Sequence, residues 1–223
     1  MVEKDSIPLD KQTLGWKVSE LIFPSGKYQA GNDYPVICSG KNDQVWLSYT
    51  NCTEDGKEAI YVQSFENGKM DKAIRVPSNT DRAYQSAIVY HDGSLHIVWT
   101  SFSENGQGRI QWTSFDGSVF SEVKTLSPDN THACNPVIAS DSSEKIWISW
   151  EQELGKETQI IAKMLILDLF TEPITVSDFP GKDCRRPSIV MNQQQALCCC
   201  YDVYMGNGNY EIMVTTIKSG QKK

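Results

Sequence analysis

A chain of 223 residues, 39% of them hydrophobic, can bury a substantial core and suits one large β domain or two small domains. Its formal net charge of -7, from 28 acidic and 21 dispersed basic residues, argues against a nucleic-acid partner, because affinity for a phosphate backbone comes from clustered Lys and Arg. No apolar run approaches the length that crosses a bilayer, so no membrane partner is expected either.

The chain opens on the charged stretch Met1-Val2-Glu3-Lys4-Asp5, which leads into no apolar segment, so no signal peptide is expected. Residues 1–15 match nothing later in the chain and read as a polar lead-in. Val18-Ser19-Glu20-Leu21-Ile22 then reads as a strand. Four matching segments follow: Tyr34-Pro35-Val36-Ile37, Tyr84-Gln85-Ser86-Ala87, Asn135-Pro136-Val137-Ile138 and Arg186-Pro187-Ser188-Ile189. Their second residues, at 35, 85, 136 and 187, are 50, 51 and 51 positions apart, a period typical of repeat folds. Downstream of each, without any internal gap, come Trp46, His96, Trp147 and Cys198, then Tyr49, Trp99, Trp150 and Tyr201.

Alternation identifies second strands in Val45-Trp46-Leu47-Ser48-Tyr49, Leu95-His96-Ile97-Val98-Trp99 and Ile146-Trp147-Ile148-Ser149-Trp150. Each is followed by a polar hairpin around Gly56, Gly106, Gly155 or Gly208 and a third strand entered at Ile60, Ile110, Ile160 or Ile212. Fourth strands are Ala73-Ile74-Arg75-Val76, Val123-Lys124-Thr125-Leu126 and Pro173-Ile174-Thr175-Val176. The last unit ends at its third strand, Glu211 to Ile217, so its outer strand is supplied by Val18 to Ile22, which removes an unpaired edge. The expected fold is therefore all-β: a β-propeller of four four-stranded blades over residues 16–217, closed by the N-terminal strand, with residues 218–223 as a polar tail. The same phase fits half of an eight-bladed ring made by two chains, hence a homodimer, or a fragment of a longer propeller.

The blade pattern resembles the sialidase-like and TolB-like propellers. Phe120-Ser121-Glu122-Val123, Phe170-Thr171-Glu172-Pro173, Pro187-Ser188-Ile189-Val190 and Ile146-Trp147-Ile148-Ser149-Trp150 carry that resemblance, with Tyr201-Asp202-Val203-Tyr204 and Gly208-Asn209-Tyr210-Glu211-Ile212 similar to a TolB-like hairpin. The resemblance implies architecture. Sialidase activity would further require Ser-x-Asp-x-Gly-x-x-Trp boxes, and none is intact. Ile74-Arg75-Val76-Pro77 looks like that family's arginine motif, but the repeat places Arg75 on an outer strand.

In such a fold the fourth-to-first-strand loops share one rim with the second-to-third-strand hairpins. The first set carries Asn32, Asp33 and Tyr34, then Asp81, Arg82 and Tyr84, then His132 and Asn135, then Asp183, Arg185 and Arg186. The second set carries Thr50, Thr100, Glu151 and Asp202 at one equivalent position. Carboxylates, arginine forks and aromatics together suit a sugar or a peptide. Tyr49, Trp99, Trp150 and Tyr201 keep strict register with the repeat, which favours packing between blades over a stacking ring at the mouth. Positions that break the symmetry are better candidates. Glu151 and Asp202, in place of Thr, read either as solvated hairpin acids or as an acid/base pair for glycosidic hydrolysis. The candidate ligand-binding set is Asp33, Asp81, Arg82, His132, Glu151, Asp183, Arg185, Arg186, Asp202 and Tyr204.

His132, Cys134 and Cys184 lack zinc-knuckle spacing, and no phosphate cradle, nucleophile elbow or His-Glu-x-x-His sequence occurs. No metal or cofactor is expected. Seven cysteines, three of them consecutive at Cys198-Cys199-Cys200, are a poor disulfide framework and suit a reducing, cytoplasmic setting, or a secreted one if this is an excised segment. The Asn51-Cys52-Thr53 sequon reads as a polar hairpin tip, and His91 as a solvent-facing turn residue. The leading expectation is a non-catalytic propeller binding a carbohydrate, peptide or protein on the loop rim. The alternatives are a glycan-active hydrolase or lyase and an assembly module.

Overall fold

A computed structural model describes residues 32–52, 57–80, 82–141 and 145–218. The expected strand Val18 to Ile22 and its pairing beside Glu211 to Ile217 lie outside the described residues. Within them, alternating β-branched and aromatic residues form four antiparallel sheets. The first holds β1 (Asn32–Ser39), β2 (Val45–Cys52), β3 (Glu58–Glu66), β4 (Lys69–Met70) and β5 (Ile74–Arg75). The second holds β6 (Ala83–His91), β7 (Ser94–Phe102), β8 (Gly108–Phe115) and β9 (Lys124–Thr125). The third holds β10 (Ala133–Ser140), β11 (Lys145–Leu154), β12 (Glu157–Ile166), β13 (Leu169–Phe170) and β14 (Ile174–Thr175). The fourth holds β15 (Cys184–Met191), β16 (Leu197–Gly206) and β17 (Asn209–Ile217).

The outer edges are more broken than the expected fourth strands. In the first and third sheets two separate two-residue strands, β4 with β5 and β13 with β14, pair with the third strand. Short interrupted edges offer little template for pairing with another chain. Arg75 stands on such an edge, in β5, as the repeat places it.

The inner strands pack in the order β1, β6, β10, β15, and three apolar cores join the sheets pairwise. Trp46, Ile60 and Val62 meet Leu95, Ile97 and Trp99 between the first and second sheets. Val98, Ile110 and Trp112 meet Ile146, Ile148 and Trp150 between the second and third. Trp147, Ile160 and Ala162 meet Leu197, Cys199 and Tyr201 between the third and fourth. Each middle sheet therefore buries both faces, and Trp99, Trp150 and Tyr201 of the aromatic series lie inside the cores, while Tyr49 is buried beside Tyr61 in the first sheet.

Every inner strand carries a β-bulge at the same place. Tyr34-Pro35, Gln85-Ser86, Asn135-Pro136 and Arg186-Pro187 each set two residues against one on the second strand, namely Tyr49, Trp99, Trp150 and Tyr201. The first residue of each bulge is left-handed, with φ of 51° at Tyr34 and 54° at Gln85, Asn135 and Arg186. Proline is tolerated at the second position because a bulge withdraws one residue from the ladder.

This corrects the sequence alignment of the second unit by one residue: Gln85, not Tyr84, matches Tyr34, Asn135 and Arg186. The missing residue is in the following turn. His91 pairs with Ser94 across Asp92-Gly93, both with positive φ, the tight two-residue geometry that an Asp-Gly pair favours. The other three units use longer connections, so one gap is needed after all.

That tight turn also folds His91 back as a half-buried residue, contrary to the solvent-facing expectation, with its ring 6.5 Å from that of His96. His96 fills the slot of Trp46 and Trp147 and is itself buried. Burial, and then the neighbouring His91, push its pKa down to about 4, against weaker opposition from Asp168 and Asp92. The unfolded imidazole protonates near its ordinary value of 6.5, so between those values the unfolded state binds more protons and stability falls as pH is lowered. We expect a loss on the order of 3 kcal/mol between neutral pH and pH about 4, read by urea unfolding, and a clearly smaller loss in His96→Phe. Equal acid sensitivity in the two proteins would refute this account.

Candidate functional site

The bulge of β15 builds the most connected polar site of the described residues. Its left-handed turn at Arg186 aims the backbone N–H across to the third sheet, where it donates to Glu151 Oε1 at 2.9 Å. Asn135, the equivalent bulge residue of β10, donates its side-chain amide to the same oxygen at 2.7 Å. The Arg186 guanidinium turns the other way and pairs with Asp202. Arg186 thus joins two carboxylates from equivalent positions of adjacent sheets, one through its backbone and one through its side chain.

Both carboxylates are buried, Glu151 3% and Asp202 6% exposed, so neither is the solvated hairpin acid that sequence alone allowed. A buried carboxylate needs donors, and the bulge supplies them. Cys134 lies close behind, with Sγ 3.9 Å from Glu151 Oε2. Its thiol pKa is pushed up to about 12 by burial first and then by the Glu151 charge, so it stays neutral and serves as a weak donor rather than a nucleophile.

Two tyrosines finish the wall. The hairpin joining β16 to β17 brings Tyr204 and Tyr210 to a ring separation of 5.2 Å, and the Arg186 guanidinium lies 5.3 Å from the Tyr210 ring centroid. Tyr204 hydroxyl accepts the Gly208 N–H at 3.3 Å, where Gly208 has a positive φ of 78° that a tight turn requires. On the other flank Asp183 accepts the Thr158 N–H at 2.8 Å and pairs with Arg185 at 3.6 Å. The cavity these groups enclose is about 450 Å³, lined by Asn135, Glu151, Asp183, Arg185, Arg186, Tyr204 and Tyr210. That is within the range of small-molecule sites.

Of the ten expected residues, the structure brings Glu151, Asp183, Arg185, Arg186, Asp202 and Tyr204 together here. The others stand apart. Arg82 lines a second cavity with Phe102 and Ser103, near the Tyr84 and Phe102 rings and facing Glu58 at 3.9 Å. His132 accepts the Gly108 N–H through Nδ1 at 3.0 Å, a structural role. Asp33 accepts the N–H of Tyr34 at 2.8 Å. Asp81 lies outside the described residues. Cys184 is sealed in the third core, so it forms no cluster with His132. Tyr210 and Asn135 belong to the site but not to the candidate set. Tyr210 is signalled by its place across the hairpin from Tyr204, and Asn135 by its place at the repeated bulge.

No family model and no curated protein matches the chain. Solved structures do. An alpha-L-arabinanase from Penicillium chrysogenum superposes with a TM-score of 0.63 at 12% identity, over 83% of this chain and 62% of its own. An alpha-L-arabinofuranosidase from Fusarium graminearum gives 0.63 at 11% identity, over 86% and 63%. An ulvan lyase gives 0.61 at 6% identity, over 84% and 56%. The chain thus spans less than two thirds of the length of each of these three. At such identities the likeness is one of fold, and the fold is the β-propeller.

Removing Glu151 should be felt in stability as well as at the site. Glu151→Ala leaves the Arg186 N–H and the Asn135 amide without their acceptor, at a cost of about 1–3 kcal/mol, measurable by urea unfolding. A variant as stable as the parent would show that these donors find other partners.

Proposed function

We propose that this chain is a glycan-active protein, a hydrolase or lyase, that holds its substrate in the cavity between the third and fourth sheets. One observation carries the reading: two buried carboxylates, Glu151 and Asp202, stand at equivalent positions of adjacent sheets, bridged by Arg186 and flanked by Tyr204 and Tyr210. Cleavage of a glycosidic bond calls for two carboxyl groups flanking the scissile bond, about 5–9.5 Å apart. Sugar rings suit tyrosine faces, and arginine suits the carboxylate of an acidic sugar. The fold likeness to an arabinanase, an arabinofuranosidase and an ulvan lyase supports the same substrate class. In this reading substrate engages the Arg186 guanidinium and releases Asp202 to act as general base, taking a proton from the attacking water in a hydrolase or from the carbon beside the sugar carboxylate in a lyase. The sialidase-like and TolB-like resemblance of the blade sequences is a finer assignment within the same fold.

A second reading, a non-catalytic carbohydrate-binding propeller, is favoured by the fact that Glu151 and Asp202 are both held by donors of the protein itself. The same site would then only bind. A panel of arabinans, uronate-containing polysaccharides and neutral glucans separates the two, scored for new reducing ends, for unsaturated products and, by affinity electrophoresis, for binding. Activity that drops at least about a hundredfold in Asp202→Asn, with binding and folding retained, supports catalysis. Binding without product from the parent protein supports the second reading. Neither binding nor product from any member would sink both.

A further inference from the structure

Three junctions inside the chain show how one sheet is covered by the next, and the same positions are bare at the two ends. Ile60, Ile110 and Ile160 enter the third strands of the first three sheets and are 1%, 0% and 0% exposed, whereas their equivalent in the fourth, Ile212, is 70% exposed. Val62, Trp112 and Ala162 are at most 2% exposed; their equivalent Val214 is 71% exposed. Register places Val190 and Cys198, like Ile212 and Val214, on this same far face of the fourth sheet. At the other end Ile37 is 71% exposed where its equivalent Ile88 is 7%. Val45 and Leu47 beside it are half-buried where Leu95 and Ile97 are sealed, while Tyr49 on the same face is already buried, so the open part of this face is the end around Ile37.

These bare faces are the two halves of a fourth junction. The far face of the fourth sheet repeats the chemistry that the first three sheets present forward, and the far face of the first sheet repeats what the later sheets present backward. Among the described residues no packing like that of β10 on β15 joins β15 to β1, and there the two halves do not meet. We propose that the chain pairs head to tail with a second copy of itself, the far face of each fourth sheet packing on the first sheet of the other copy in a closed two-chain ring. Such a contact is heterologous, and a two-fold axis closes it.

Pairing would also add a wall to the cavity. At the junction of the third and fourth sheets the bulge residue Arg186 stands against Glu151. One step on, the bulge residue is Tyr34 of a second copy, and the acid it meets is Asp202. Tyr34, exposed at 44%, would bring its ring toward the cavity edge formed by Tyr204 and Tyr210. The pairing does not rest on the glycan reading, since mass reports it without ligand.

Light scattering on the full chain at micromolar concentration should give about 50 kDa, twice 25.1 kDa. The double variant Ile212→Asp/Val214→Asp should run as a single chain, as should Ile37→Asp, each weakening the pair on the order of a hundredfold or more. An equimolar mixture of the two should regain the two-chain mass, because each mixed pair keeps one unaltered junction. Circular dichroism checks that both variants fold, as expected for exposed positions. A single-chain mass for the parent, or assemblies larger than two chains, would overturn the proposal. So would variants that stay single when mixed, and so would an Ile37→Asp variant that keeps the two-chain mass by itself, which would point instead to a contact between two fourth sheets.

Discussion

Each sheet of this fold is apolar on both faces, and a two-faced apolar sheet has no stable existence until something covers each side. Ile60 and Val62 point forward while Leu95 and Ile97 point back, and the next sheet repeats the arrangement. Burying such side chains contributes about 1.5–3 kcal/mol each, so stacking one sheet on the next is the dominant source of stability. The ladders set register within a sheet; the cores set the order of sheets. Among the described residues most charged groups are left to the edges and the two ends of the strands, while small neutral groups such as Ser48, Thr113 and Ser149 are buried within the stack.

The bulge opposite each core aromatic is where the two demands meet. Tyr49, Trp99, Trp150 and Tyr201 each face two inner-strand residues instead of one. The inserted residue adopts a left-handed backbone that costs on the order of 1–3 kcal/mol for a non-glycine residue, and its N–H leaves the ladder. At the junction of the third and fourth sheets that freed N–H finds Glu151. The bulge therefore supplies the donor that makes a buried carboxylate tolerable.

Much of this is legible in the sequence. The period near fifty residues, the alternation around Trp147 and Trp150, and the clustering of Glu151, Asp183, Arg185, Arg186, Asp202 and Tyr204 near one end of the strands all follow from spacing alone. What spacing does not carry is bulge chemistry. Spacing sets the second unit one residue early, on Tyr84 rather than Gln85, because Ser86 stands where the other units have proline, and a tight Asp92-Gly93 turn absorbs the difference downstream. The burial of Glu151 and Asp202 was equally hidden, since charged residues on a hairpin ordinarily face water. The Arg186 backbone and the Asn135 amide hold Glu151, and the Arg186 guanidinium holds Asp202, which is why these two do not. Arg82 and His132 show the converse: similar residue types on equivalent loops, diverted by Glu58 and by the Gly108 N–H into local contacts.

The asymmetry of the repeat can be stated in the same terms. Thr50 and Thr100 occupy the position of Glu151 and Asp202, and Thr100 spends its hydroxyl on Gln85 of its own sheet. A neutral hydroxyl makes a weaker demand on the next sheet, and those two junctions combine apolar cores with a few polar contacts such as the Ser48–Ser86 hydrogen bond and the Arg82–Glu58 pair. A carboxylate at the same place makes a strong demand, and the next sheet must answer with donors. Glu151 is answered by Arg186. Asp202 is answered from its own sheet, by the same arginine's side chain, because no described sheet follows it. The chemistry therefore intensifies toward the uncovered end of the stack, where the last acid, the two tyrosines and the bare faces of Ile212 and Val214 share one surface.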